Sequence, residues 1–101
     1  MSMLHVEAEG VDRYAITGEL DVKTAPRLAA AVAAVQDRQS VVLDLSGLRF
    51  CDSSGIRVMM LAAAEARSGL VLRHPRGQVR RLFDRLRLDA HPKITIDPLP
   101  T

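Results

Sequence analysis

The 101 residues carry 48% apolar and 26% charged side chains and a formal net charge of +2. This is the composition of one globular domain with one core. It excludes a disordered chain, attraction to polyanions by net charge alone and, with no apolar run of ~20 residues, a membrane-spanning helix.

Leu4, Val6 and Ala8 alternate with His5, Glu7 and Glu9, the period-two pattern of a strand with one wet face. After Gly10, Val11 to Thr17 reads as its hairpin partner, with Tyr14 and Ile16 on one face and Gly18 as the stop. Thr24 is a candidate N-cap and Pro26 suits a first helical turn. Leu28, Ala31, Val32 and Val35 then form one stripe of a helix expected to reach about Asp37. Val41 to Leu45 reads as a central strand, and "SGLRF" as its connection to a second helix starting at Ser53 or Ser54. That helix has Ile56, Met59, Met60 and Ala63 on its apolar stripe, and Gly69 supplies its stop. "LVLRH" is a fourth strand. A third helix over about Gly77 to Leu88 carries Val79, Leu82, Phe83 and Leu86 at the same spacing, and Ile94 and Ile96 mark a last strand. The order β-β-α-β-α-β-α-β predicts a mixed sheet: an antiparallel N-terminal hairpin, parallel strands joined by right-handed crossovers, and helices mainly on one face. One domain is expected over residues 1–101, with its core at about 3–97.

Aromatics are 3%, without tryptophan. An aliphatic core is therefore expected, and single-strand nucleic-acid binding lacks its stacking platforms. Cys51 is the single cysteine, so the fold needs no oxidising compartment. The N-terminus lacks a basic region followed by a long apolar core. No signal peptide is expected, and the cytoplasm is the expected location.

"CDSSG", Cys51 to Gly55, sits where a strand hands the chain to a helix. One reading is a plain helix start, with Asp52 or Ser53 accepting from free first-turn amides. The other is a hydroxyl presented to a ligand or a modifying enzyme at the strand-to-helix edge where α/β proteins bind, with Gly55 permitting close approach. A serine hydrolase needs a base and an oxyanion hole, and "DSSG" is not G-x-S-x-G. His5, His74 and His91 fall on or beside different strands, so no catalytic residue is assigned and no enzyme is expected. No phosphate-binding glycine motif and no metal-ligand spacing is present, so no cofactor and no metal site are expected. The arginines of "RHPRGQVRRLFDRLR" read first as a solvated helix face, next as a surface for an acidic protein, and last as a nucleic-acid contact.

"GELDVKTAPRL" followed by "VVLDLSGLRFCDSSGIRVMM", with "RLFDRLRL" after a later strand, resembles the STAS domain family, in particular the bacterial anti-sigma factor antagonists. The likeness spans about residues 3 to 97. It implies a STAS-like α/β fold. It also implies a protein that binds an anti-sigma factor, usually a serine kinase of the GHKL ATPase type, and so frees a sigma factor. The resemblance makes Ser53 the phosphoacceptor, reset by a phosphatase. Asp52, Ser54 and Gly55 lie around it, and Glu19 and Asp21 belong to the neighbouring partner loop. Ile56 and Arg57 stand where the family often has Leu-Gly, which places a long cation at the contact edge and bears on which partner is bound. Neither direct nucleic-acid binding nor membrane attachment is expected. The alternative within the family is a STAS subunit docking on an ABC-type transporter ATPase with no phosphorylation cycle; a member that only tethers other proteins is a third.

Overall fold

The computed structural model describes residues 2–34 and 40–98. Two antiparallel strands open the chain, β1 (Leu4–Gly10) and β2 (Arg13–Leu20). They are followed by α1 (Ala25–Ala33), β3 (Val41–Cys51), α2 (Ser53–Glu65), β4 (Leu70–Arg73), α3 (Gly77–Arg85), a 3-10 turn at Leu88–Ala90 and β5 (Ile94–Asp97). The sheet order is β1-β2-β3-β4-β5. β1 and β2 pair antiparallel, with Val6 opposite Ile16, and all later neighbours pair parallel. The predicted order of elements and the mixed sheet are both present.

Registers put Tyr14, Leu43, Leu72 and Ile96 in one row across the sheet, and Val41, Leu70 and Ile94 in another. This face is covered. Ile16, Leu43, Leu45, Leu70 and Leu72 are buried with Leu28 of α1, Met59 and Ala63 of α2, and Val79 and Phe83 of α3 in one cluster. The opposite face carries His5, Thr17, Val42, Asp44, Val71, Arg73 and Thr95, none of them buried. Burial of large aliphatic side chains at ~25 cal/mol per Å² is the main stabilising term. Phe83 joins them as a fully buried aromatic.

Three boundaries depart from the sequence reading. β3 does not end at Leu45 but runs to Cys51, and "SGLRF" is strand. The register shifts between the pairs Ala15–Asp44 and Thr17–Gly47 and again between Gly18–Leu48 and Glu19–Phe50, each time with one extra residue in β3, and the first of these is a bulge. Leu45 and Leu48 are both buried three residues apart, and this bulge hides the period-two signal. β2 likewise continues past Gly18 to Leu20. α3 stops at Arg85, because Arg87 adopts a left-handed conformation (φ 55°) that turns the chain out of the helix. Leu86 therefore lies beyond the helix and is exposed rather than on its buried stripe. The expected continuation of α1 to Asp37, and Val35 with it, lies outside the described residues.

Candidate functional site: the corner where two helices begin

β2 and β3 run side by side to a last pair, Leu20 with Cys51. Each strand then delivers the chain to a helix, so α1 and α2 begin next to each other at the C-terminal edge of a parallel pair. The Asp52 N–H donates to the Leu20 carbonyl at 3.2 Å, joining the two exits. Loops at this edge are where α/β folds commonly bind.

Asp52 is the N-cap of α2. Its backbone is extended, and its Oδ1 accepts from the Ser54 N–H at 2.9 Å. Ser53, the first helical residue, is therefore released from capping. It is exposed, and its hydroxyl makes no hydrogen bond among the described residues. Ser54 is half-buried. Gly55 is buried, and a Cβ there would lie 2.6 Å from Leu20 Cγ and 2.8 Å from Cys51 Sγ, so only a glycine lets α2 start this close to the sheet. Ile56 is buried too. Gly55 and Ile56 thus set the height of the helix, while Ser53 and Arg57 face solvent.

The α1 side is shaped by Asp21. Its Oδ1 accepts from the Lys23 N–H at 2.9 Å and the Thr24 N–H at 3.2 Å, and its other oxygen from the Ser2 hydroxyl. Thr24 occupies the predicted N-cap position but does not cap. Its buried hydroxyl donates to the Glu19 carbonyl at 2.8 Å and accepts from the Asp21 N–H at 3.0 Å. Glu19 accepts from the Met3 N–H and pairs with Arg49. Both acids therefore brace the loop from below.

Their bonding has a pH consequence. The Met3 N–H and then Arg49 hold the Glu19 carboxyl below its ordinary value, and the Ser2 hydroxyl, with the Lys23 and Thr24 amides, does the same for Asp21 against the opposing effect of desolvation. Carboxylates with lowered folded pKa values stabilise the fold above their unfolded values near pH ~4, and the contribution is lost as pH falls through the folded ones. The urea midpoint is expected to decline from about pH 4 downward, and Glu19→Gln to flatten part of that decline. A midpoint equally pH-dependent in both proteins would contradict this.

Cys51 lies under the corner, fully buried. Burial first, and the Asp52 charge second, push its thiol up to about 12, so it packs as a small apolar group. Gln78 on α3 holds it there. Its Oε1 accepts from the Cys51 N–H at 3.0 Å and its Nε2 donates to the Cys51 carbonyl at 2.9 Å. β4 pairs with β3 only as far as Asp44, and the side-chain amide takes the place of a neighbouring strand at Cys51.

Sequence reasoning missed the surface that continues from Ser53. On α2, Ser53, Arg57, Met60, Leu61 and Ala64 are all exposed and fall on one arc of the helix. Met60 was expected on the buried stripe; it is 42% exposed, Leu61 58%, Leu86 47% and Val22 72%. A groove of about 410 Å³ lined by Val22, Pro26, Ala29, Ser54, Arg57 and Val58 flanks the arc on the α1 side. A second, of about 420 Å³, lies on the α3 side against Met60, Leu86 and Leu88. The signal was present in "IRVMMLAAA", which has more apolar residues than one buried stripe can hold.

The histidines stay apart. His5 is exposed on β1 beside Glu7, His74 follows β4 in a left-handed conformation, and His91 Nδ1 accepts from the Lys93 N–H at 3.0 Å. Among the described residues no cluster of His, Cys, Asp or Glu is placed to hold a metal, and no helix is long and apolar enough to cross a membrane. Arg73, Arg80 and Arg87 pair with Asp97, Asp84 and Asp89, and Arg76 reaches the Ser46 carbonyl, the pattern of a solvated face.

The fold and its corner describe a small α/β domain that presents an exposed serine at a helix start, beside an uncovered apolar helix face. A family described as "Mlab, STAS domain" matches residues 4–97, and the chain belongs to the STAS domain family. Among solved structures it is similar to an anti-sigma factor antagonist from Mycobacterium paratuberculosis, with 28% identity, 94% of this chain and 86% of that one covered, and a TM-score of 0.75. It is similar in fold to the anti-sigma factor antagonist SpoIIAA in its unphosphorylated form (22% identity, 93% and 87% covered, TM-score 0.70). The same holds for the Bacillus cell fate determinant SpoIIAA in its phosphorylated form (22%, 93% and 90%, TM-score 0.63). No curated protein matches the chain.

Proposed function

We propose that this chain is an anti-sigma factor antagonist, that it docks on its anti-sigma factor through the outward face of α2, and that phosphorylation of Ser53 releases it. The observation that carries the reading is the place of Ser53: exposed, not used for capping, and at the head of an apolar arc that continues through Met60 and Leu61. Family membership and the antagonist neighbours support it. In this reading Asp52 and Ser54 frame the hydroxyl, Arg57 and Val22 belong to the contact, Gly55 and Ile56 hold the helix in place, and Glu19 and Asp21 brace the adjoining loop.

The partner is an anti-sigma factor of the GHKL serine-kinase type. Ser53 Oγ bonds to the γ-phosphorus of ATP as the bond to the departing ADP breaks, and the hydroxyl proton leaves to a base on the kinase. A phosphatase returns the serine. The added group carries about −1.5 to −2 charges. Against a partner carboxylate at ~6 Å this costs roughly 1–5 kcal/mol for effective dielectrics between 80 and 20, and each 1.4 kcal/mol is about tenfold in affinity.

Incubation with the anti-sigma kinase and ATP is expected to place phosphate on Ser53, read by peptide mass spectrometry. Ser53→Ala should bind as tightly as the unmodified protein and resist modification, whereas Ser53→Asp should bind about tenfold more weakly. Phosphate on other residues alone, or equal affinity of all three proteins, would count against the switch. The apolar arc also suits a STAS subunit docked on an ABC-type ATPase, since Leu61 and Ala64 extend the face well beyond the serine. Co-purification with an ATPase–permease complex in place of a kinase would select that reading.

A further inference from the structure

Arg57 lies four residues after Ser53 on the same exposed arc of α2. Residues at this spacing face each other on a helix, with Cβ atoms ~6 Å apart. Arg57 makes no hydrogen bond and no ion pair among the described residues, unlike Arg49, Arg80 and Arg87, each held by an acid. Its side chain lines the apolar groove between α1 and α2, together with Val22 and Ser54. The other charges at this corner are the Glu19–Arg49 pair, Lys23 on the loop before α1, and two carboxylates with no paired cation among the described residues, Asp52 on the cap and Asp21 on that loop. Both carboxylates repel a phosphate at position 53 and favour a cation that neutralises it.

We propose that Arg57 receives the phosphoryl group of Ser53, forming an ion pair within α2 that draws the guanidinium away from the groove between α1 and α2. The inference rests on the reading of Ser53 as a phosphoacceptor and adds how the modified form is held. A planar guanidinium donates two parallel N–H groups to phosphate oxygens, and an acid placed N-terminal to its cation is the better order on a helix. Phosphorylation would then change the docking face twice, by adding a dianion at its head and by removing Arg57 from the groove edge.

The test does not need a kinase. Phosphoserine is incorporated at position 53 during synthesis, and the second ionisation of the phosphate is followed by ³¹P NMR in the intact protein, in Arg57→Gln, in Arg57→Lys and in Lys23→Gln. A free phosphoserine titrates near pH 6. Pairing is expected to lower this by about half a unit relative to Arg57→Gln, with Arg57→Lys in between and Lys23→Gln close to the intact protein. The Arg57 Nε–H resonance should move downfield on modification. Superimposable titrations of the intact protein and Arg57→Gln, or an equal displacement by Lys23→Gln, would overturn the pairing. A kinase that fails to modify Ser53 would instead overturn the proposed function and leave the titration result standing.

Discussion

Leu61→Asp is expected to lower affinity for the proposed anti-sigma partner by about 100-fold while leaving the domain folded. Leu61 is among the most exposed of the large apolar residues on the arc that begins at Ser53, two turns beyond the hydroxyl. If the partner covers that arc, a carboxylate at position 61 is carried into an apolar contact without a partner of its own. Losses of 2 kcal/mol or more belong to the few residues near the centre of an interface, and an unpaired polar group buried there costs about as much; 100-fold corresponds to about 2.7 kcal/mol. Stability should move by no more than ~0.5 kcal/mol, because the side chain packs against little in the free protein. Titration calorimetry with the purified partner, beside a urea melt of the free variant, separates the two effects. An affinity within threefold of the parent would remove the α2 face from the interface. It would do so without touching the proposed phosphorylation of Ser53, which is read separately.

The same residues show what the sequence carries and what it does not. Element order and strand pairing follow from patterns that operate over a few residues: alternation in Leu4–Gly10, and helical spacing in α2 and α3. The "DSSG" helix start is legible for the same reason, because a cap is a local device. Asp52 rather than Ser53 takes the capping role because the aspartate carboxylate reaches the Ser54 amide from an extended backbone. Features requiring two distant segments were not legible. The extension of β3 to Cys51 depends on a bulge against β2 and on the Gln78 amide arriving from α3. The exposure of Met60 depends on which arc of α2 meets the sheet, and that is decided by Gly55 seating against Leu20 and Cys51. Composition identified an apolar helix; only packing shows which part of it remains uncovered and therefore open to a partner.

Gly18→Ala is expected to cost the fold about 3 kcal/mol and to lower the melting temperature by about 15 °C for a domain of this size. Gly18 lies inside β2 with φ at 105°, a region that side-chain-bearing residues rarely adopt. A methyl group there would also overlap the Met3 carbonyl oxygen, well inside van der Waals contact and against backbone rather than a flexible side chain. That oxygen is not free to move, because it accepts from the Glu19 N–H at 2.8 Å, and the Met3 N–H in turn donates to the Glu19 carboxylate at 3.1 Å. Relief of the clash requires either backbone rotation at position 18 or withdrawal of the start of β1. Withdrawal would uncover Leu4, now buried, and pull its carbonyl from Arg27, which reaches it at 3.0 Å. Either route disturbs Glu19 and, two residues on, the Asp21 loop that leads into α1. Thermal unfolding by circular dichroism measures the loss directly. A decrease of less than ~3 °C would mean that β2 accommodates a side chain at this point, and that the link from the Gly18 kink through Glu19 to the corner where α1 and α2 begin is weaker than the hydrogen bonds indicate.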